Sequence, residues 1–152
     1  MVDKVHSFGG LHVRSIQEKV KDVLGRAGDV QEILATGWVD QMVVPDLLNL
    51  AQKGISIRLI LPAGETKQPS RDVRDALKQL SGGRIDIRKN DMLHGRVLIS
   101  GDREAIIASS DLKTDSLVQN REAGIYTTDP VVVRQAIDFF NKVWEDLLTT
   151  ER

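Results

Sequence analysis

The fold is decided by Leu93-His-Gly-Arg-Val-Leu-Ile-Ser-Gly-Asp-Arg-Glu-Ala-Ile-Ile-Ala-Ser-Ser-Asp111. Two apolar runs, Leu93 to Ser100 and Glu104 to Ala108, meet at Gly101-Asp102, a dipeptide suited to a tight turn, so the stretch reads as a β-hairpin. It carries His94 near its start and Ser109 just past its end. Behind it comes Asn120-Arg121-Glu122, leading into Ala123 to Thr128, which reads as a further strand.

Upstream, Ile55-Ser-Ile-Arg-Leu-Ile-Leu-Pro62 is the clearest strand, with Ile55, Ile57, Leu59 and Leu61 on one face and Pro62 closing it. Asp29 to Gly37 alternates weakly as a strand, and Ile85 to Arg88 is a short one. Between them lie segments of helical spacing. Ser15 to Gly25 places Ile16, Val20, Val23 and Leu24 in a stripe, with Ser15 and Glu18 arranged as a capping box. Val43 to Lys53 repeats the pattern through Leu47, Leu48 and Ala51. Arg71 to Leu80 does so through Val73, Ala76, Leu77 and Leu80. The last segment, Val131 to Leu148, carries Val133, Ala136, Ile137, Phe140, Val143, Trp144 and Leu147 as one long stripe behind Asp129-Pro130, which makes Trp144 a core residue. Strands alternating with helices, then a hairpin and a final helix, predict an α/β fold with a mixed sheet flanked by helices on both faces.

The chain has 152 residues, enough for one domain with a substantial core. Residues 1–14 read as an extended arm in which His6 and His12 flank Gly9-Gly10, with no third ligand at metal-binding spacing. With 21 basic and 22 acidic residues, the formal charge of −1 argues against a broad nucleic-acid-gripping surface. Cysteine is absent, which excludes disulfides, thiol catalysis and thiolate metal sites. The N-terminal ten residues lack the apolar core of a signal peptide, and no window approaches a membrane span, so a cytoplasmic protein is expected.

The hairpin resembles the motif of the phospholipase D superfamily, which runs His-x-Lys, four residues, Asp, six residues, Gly-Ser-x-Asn. Laid on His94, that register brings Arg96, Gly101, Ala108, Ser109 and Asp111 into its slots, with His94 and Ser109 matching outright. Asn120 and Glu122 resemble the family's following Asn-x-Glu. The similarity runs from about Val30 to Trp144 and implies one phospholipase D-like half. It also implies a phosphodiesterase site in which two motif copies meet. One His attacks phosphorus, the other protonates the leaving oxygen, and Glu orients a His. A single copy per chain then requires a homodimer, with His94 of each subunit at the two-fold axis.

Several slots depart from the motif. Arg96 keeps the charge of the family's Lys on a planar fork suited to bidentate phosphate contacts. Asp111 sets a carboxylate where the family has a neutral amide donor, which repels phosphate oxygens and removes a hydrogen bond. Ala108 adds a Cβ at the Gly slot. Gly101 stands at the Asp slot, with Asp102 beside it as a stand-in after a shift of the turn. Arg84, Arg88 and Lys89 precede the hairpin and read either as a basic rim to the site or as solvated strand-edge charges.

The resemblance with these changes points to a catalytically impaired, dimeric binding or sensing module. Its ligand would be an anionic or phosphate-containing molecule contacted by His94, Arg96, Ser109, Ser110, Asp111 and Asn120. No metal or cofactor is implied. The alternative is a metal-independent phosphodiesterase or nuclease in which His94 is nucleophile and Glu122 its orienting partner, across a homodimer interface. A third reading is a protein-interaction or membrane-docking module that ignores the pocket and uses a helix face or the N-terminal arm, although neither the near-neutral charge nor any basic amphipathic helix favours a membrane; a nucleic-acid or protein partner is compatible with the chain. A lone His before a strand is also, more often than not, simply a hydrogen-bonded hairpin residue.

Overall fold

A computed structural model describes residues 2–8, 14–37, 39, 42–61, 68–90, 92–109, 112 and 121–150. In chain order these form β1 (Val2–Phe8), α1 (Arg14–Gly25), β2 (Glu32–Thr36), α2 (Val44–Gln52), β3 (Ser56–Leu61), α3 (Gln68–Leu80), β4 (Ile85–Lys89), β5 (Arg96–Ser100), β6 (Glu104–Ala108), β7 (Arg121–Thr127) and α4 (Pro130–Thr150). The seven strands make one sheet in the order β1-β7-β6-β5-β2-β3-β4. β2, β3 and β4 are parallel and joined through helices, while β5, β6, β7 and β1 are antiparallel, so the sheet is mixed as the sequence predicts.

Alternation along the strands divides the core in two. Ile33, Ala35, Ile57, Leu59, Leu61, Ile85, Leu98 and Ile106 point to the face covered by α1, α2 and Leu77 of α3. Leu34, Ile60, Val97, Ile99 and Ala105 point to the other, where α4 lays down Val133, Ala136, Phe140, Trp144 and Leu147. The helix starts as its sequence implies, with the Val131 N–H donating to Asp129 Oδ1 (2.9 Å). Trp144 is a core residue at 6 % exposure, stacked on Phe140.

Two expectations change. The expected N-terminal arm is, over residues 2–8, an edge strand paired antiparallel with β7 from Val2↔Thr127 to Phe8↔Arg121. His6 therefore occupies a register position opposite Ala123, and His12 lies outside the described residues. Leu80, read as part of the α3 stripe, is 60 % exposed, because it closes the helix. Among the described residues, no helix is long and apolar enough to cross a membrane.

Candidate functional site

Strand register explains how motif residues far apart in sequence reach one place. Arg96 pairs with Ala108, and Ala108 pairs with Gly124. His94 lies two residues before Arg96, Ser109 one beyond Ala108, and Glu122 two before Gly124, so all four side chains sit at one end of β5, β6 and β7. It is the end at which the parallel strands β2 and β3 finish, at Thr36 and Leu61. Open α/β sheets bind ligands outside the carboxyl ends of their strands.

His94 is exposed, in the segment that leads from β4 to β5. That segment is tied at several points. The Asn90 N–H donates to Leu61 O (2.8 Å), and the Met92 N–H to Asn90 Oδ1 (2.8 Å), which makes an Asx turn. The half-buried Arg96 sends Nη1 back to Leu93 O (2.8 Å), closing a loop around His94. Thr36, a residue to which the sequence motif gives no part, donates its hydroxyl to Gly95 O and accepts the Val97 N–H (3.0 Å).

Ser109 stitches the end of β6 to β7. Its N–H donates to Ala123 O (2.9 Å), its Oγ accepts the Ala123 N–H (3.0 Å), and its hydroxyl donates to Glu122 Oε2 at 2.5 Å, the length of a charge-assisted bond. Glu122, the carboxylate that the resemblance assigns to orienting a His, thus holds Ser109. Ser110, Asp111 and Asn120 lie outside the described residues. Leu112, next after Asp111, forms a parallel bridge with Val39, three residues past the end of β2.

The Gly101-Asp102 turn is at the other end of β5, roughly 17 Å away at strand rise, and its geometry does not bring the Asp102 carboxylate to His94. Gly101 has φ +56 and donates its N–H to Glu32 O (2.8 Å). The suggested basic rim also divides. Arg84 opens β4 at that same far end. Arg88 stacks on Trp144 (3.9 Å to the ring centre) and donates to Trp144 O, leaving Lys89 at the His94 end.

An open cleft of about 530 Å³ also lies at the far end, between α4 and the start of β2, lined by Asp29, Glu32, Asp102, Arg103, Arg134 and Asn141 among others. Most of its charges are already matched: Arg103 to Asp29 (2.9 Å), Arg58 to Glu32 (2.8 Å), Arg134 to Asp138 (3.3 Å). Size does not make it the site; the convergence of motif residues lies at the opposite end.

On the α1 face, the buried Glu104 takes two bonds from Arg26 and one from the Tyr126 hydroxyl (2.7 Å). Burial pushes the Glu104 carboxyl up, and the Arg26 and Tyr126 hydrogen bonds outweigh it, so its pKa lies below the ordinary carboxylate value. Among the described residues, no group of three or more His, Asp or Glu is placed to hold a metal ion.

The chain is similar over 95 % of its length to NucT from Helicobacter pylori (TM-score 0.77, 12 % identity, 96 % of that chain covered). It is similar over the same share to Nuc from Salmonella typhimurium, a phospholipase D family member (0.73, 15 %, 94 %). An archaeal chromatin protein, TrmBL2, whose structure shows a mode of DNA binding, matches over 95 % of this chain and 52 % of its own (0.69, 21 %). At such identities these likenesses concern the fold. No curated protein matches the sequence. The family model described as cardiolipin synthase, PLD-like domain, matches residues 20–144, and the chain belongs to this phospholipase D-like family.

Proposed function

We propose that the chain is a dimeric phospholipase D-like binding module that has kept the motif pocket and lost turnover. Its ligand is an anionic, phosphate-containing molecule held by His94, Arg96, Ser109 and Asn120, with Ser110 and Asp111 alongside. The observation that carries this reading is the bond from Ser109 to Glu122. Two-step hydrolysis through a phospho-histidine needs an oriented imidazole and a free set of phosphate-holding donors. Here the carboxylate expected to orient His94 is engaged by the serine expected to hold phosphate. Arg96 closes on Leu93 O.

The dimer is supported by an apolar patch on the α4 face. Ile107 and Ile125 are cross-strand neighbours 36 % and 40 % exposed. Phe139 of α4, 41 % exposed, lies against Gly95, next to His94. An isologous contact over this patch would cover it and bring two His94 segments together.

A metal-independent phosphodiesterase is the second reading, favoured by the exposure of His94 at the same sheet end as Glu122 and by the likeness to Nuc and NucT. One experiment separates the two. Hydrolysis of bis(p-nitrophenyl) phosphate and of single- and double-stranded DNA is measured in EDTA for wild type and His94→Ala, with the mass in solution from sedimentation. The binding reading expects a dimer, no turnover, and inorganic phosphate binding weakened in the Ala variants of His94, Arg96, Ser109 and Asn120. Turnover abolished by His94→Ala overturns it in favour of the enzyme. Phosphate binding unaffected by all four variants removes the pocket from the function altogether.

A further inference from the structure

The β2–β5 ladder runs from Ile33↔Ser100 to Ala35↔Leu98. Carried on in the same register, it would set Thr36 opposite Val97, with the Val97 N–H going to the Thr36 carbonyl. Instead the ladder stops at Ala35↔Leu98, while Gly37, at φ 102, keeps the pairing with β3 by giving its N–H to Ile60 O (2.9 Å). The Gly95 carbonyl and the Val97 N–H, on either side of Arg96, then meet the Thr36 side chain in place of a continued ladder.

The Thr36 hydroxyl holds both groups. It donates to Gly95 O and accepts from Val97 N, one side chain serving two backbone groups where the ladder has stopped, and Thr36 is 2 % exposed. On its other side Gly95 abuts the Phe139 ring so closely that a Cβ there would stand 3.2 Å from Cζ. The peptide after His94 is thus gripped between a hydroxyl and an aromatic ring, at the point where β2 and β5 part.

We propose that Thr36 is the positioning residue of the His94 site. By fixing the Gly95 carbonyl and the Val97 amide it sets the direction in which His94 leaves the strand and the path of Arg96 beside it, so that both meet one phosphate group. The inference rests on the proposed phosphate-binding role of His94, but the orientation it assigns is a property of the free protein. Placement errors near 1 Å are costly in such sites, so the hydroxyl matters although it touches no ligand.

The test uses the full chain in three forms: wild type, Thr36→Val, which keeps shape and β-branching but has no hydrogen bond to give, and Thr36→Ser, which keeps the hydroxyl. The His94 imidazole resonances, assigned with His94→Gln, are followed by NMR without ligand, and inorganic phosphate is then titrated. Thr36→Val is expected to move the His94 resonances and weaken phosphate by about tenfold, and Thr36→Ser to restore both to within about twofold. Unchanged His94 resonances in a folded Thr36→Val overturn the inference. Should wild type fail to bind phosphate, the binding reading falls, while the His94 resonances still decide the role of Thr36. Should Thr36→Val not fold, amide exchange in wild type decides: a slowly exchanging Val97 amide supports the hydroxyl bridge, and a freely exchanging one overturns it.

Discussion

Gly124→Ala tests whether the packing at the motif's altered glycine slot is understood. Gly124 faces Ala108 across β6 and β7. A Cβ on Gly124 would stand 2.7 Å from the Ala108 Cβ, 3.0 Å from Ile107 O and 3.1 Å from the Ala108 Cα. Carbon atoms rest at roughly 3.5–4.0 Å, so the strands would have to part by most of an ångström. Such overpacking costs about 1–3 kcal/mol, against which alanine's preference over glycine in a strand returns roughly 0.5–1 kcal/mol. The net expectation is a loss of about 1–2 kcal/mol. Ala108→Gly in the same chain removes the worst contact and leaves the two backbone ones, so the double variant should recover part of the loss, with a coupling of about 1 kcal/mol. Urea unfolding of the four proteins at constant slope measures the cycle. A Gly124→Ala protein as stable as wild type, or strictly additive variants, would refute the reasoning.

Three other outcomes follow from single contacts. Glu104 has its pKa lowered on folding, so its contribution to stability is full above the ordinary carboxylate value of 4.5 and is lost as pH falls through the lower folded value. Glu104→Gln should therefore flatten the acid limb of stability against pH and cost about 1.5–3 kcal/mol at neutral pH; an unchanged acid limb would count against the Arg26 and Tyr126 bonds as its source. Gly101→Ala puts a Cβ into a left-handed turn at φ +56, 3.2 Å from the Val30 Cβ, and should cost roughly 1–2 kcal/mol by thermal unfolding. Arg88→Ala removes a guanidinium 3.9 Å from the Trp144 ring and should change Trp144 emission in a Trp38→Phe background and cost about 1 kcal/mol.

Much of the fold is legible because its helices and central strands bury one face each. The β3 alternation places Ile55, Ile57, Leu59 and Leu61 together in the larger core, and the α4 stripe from Val133 to Leu147 forms the smaller one. β1 is not legible, since Val2 to Phe8 owe their strand to pairing with β7, more than a hundred residues on, and to no strong pattern of their own. The site is legible in part for a related reason. Motif spacing fixes the length of the β5–β6 hairpin, and the hairpin register returns Ser109 to the level of Arg96. Thr36 acts on Gly95 and Val97 from 59 and 61 residues away, at a place where the ladder stops, and no local pattern marks it.

Ala108, a departure from the motif, and Ser109, a match to it, share a logic that Ser109→Ala exposes. At this level of the sheet only one of two facing residues has room for a Cβ, and here the glycine is Gly124, which lets β6 carry Ala108. Just beyond, Ser109 makes three contacts with β7 through Ala123 and Glu122. Ser109→Ala deletes the hydroxyl and releases the Glu122 carboxylate. Because Ser109 and Ala123 are exposed, water takes over the Ala123 N–H, and stability should change by no more than about 0.5–1 kcal/mol. The hydroxyl is already given to Glu122, so what the anion site gains is a free carboxylate nearby, which repels a phosphate ligand, and phosphate affinity should fall about tenfold, roughly 1.4 kcal/mol. Isothermal titration with inorganic phosphate on wild type and Ser109→Ala measures it. An affinity unchanged in a stable variant would mean that Ser109 and Glu122 serve only to join β6 to β7, and would leave His94 and Arg96 as the motif residues that hold phosphate among the described residues.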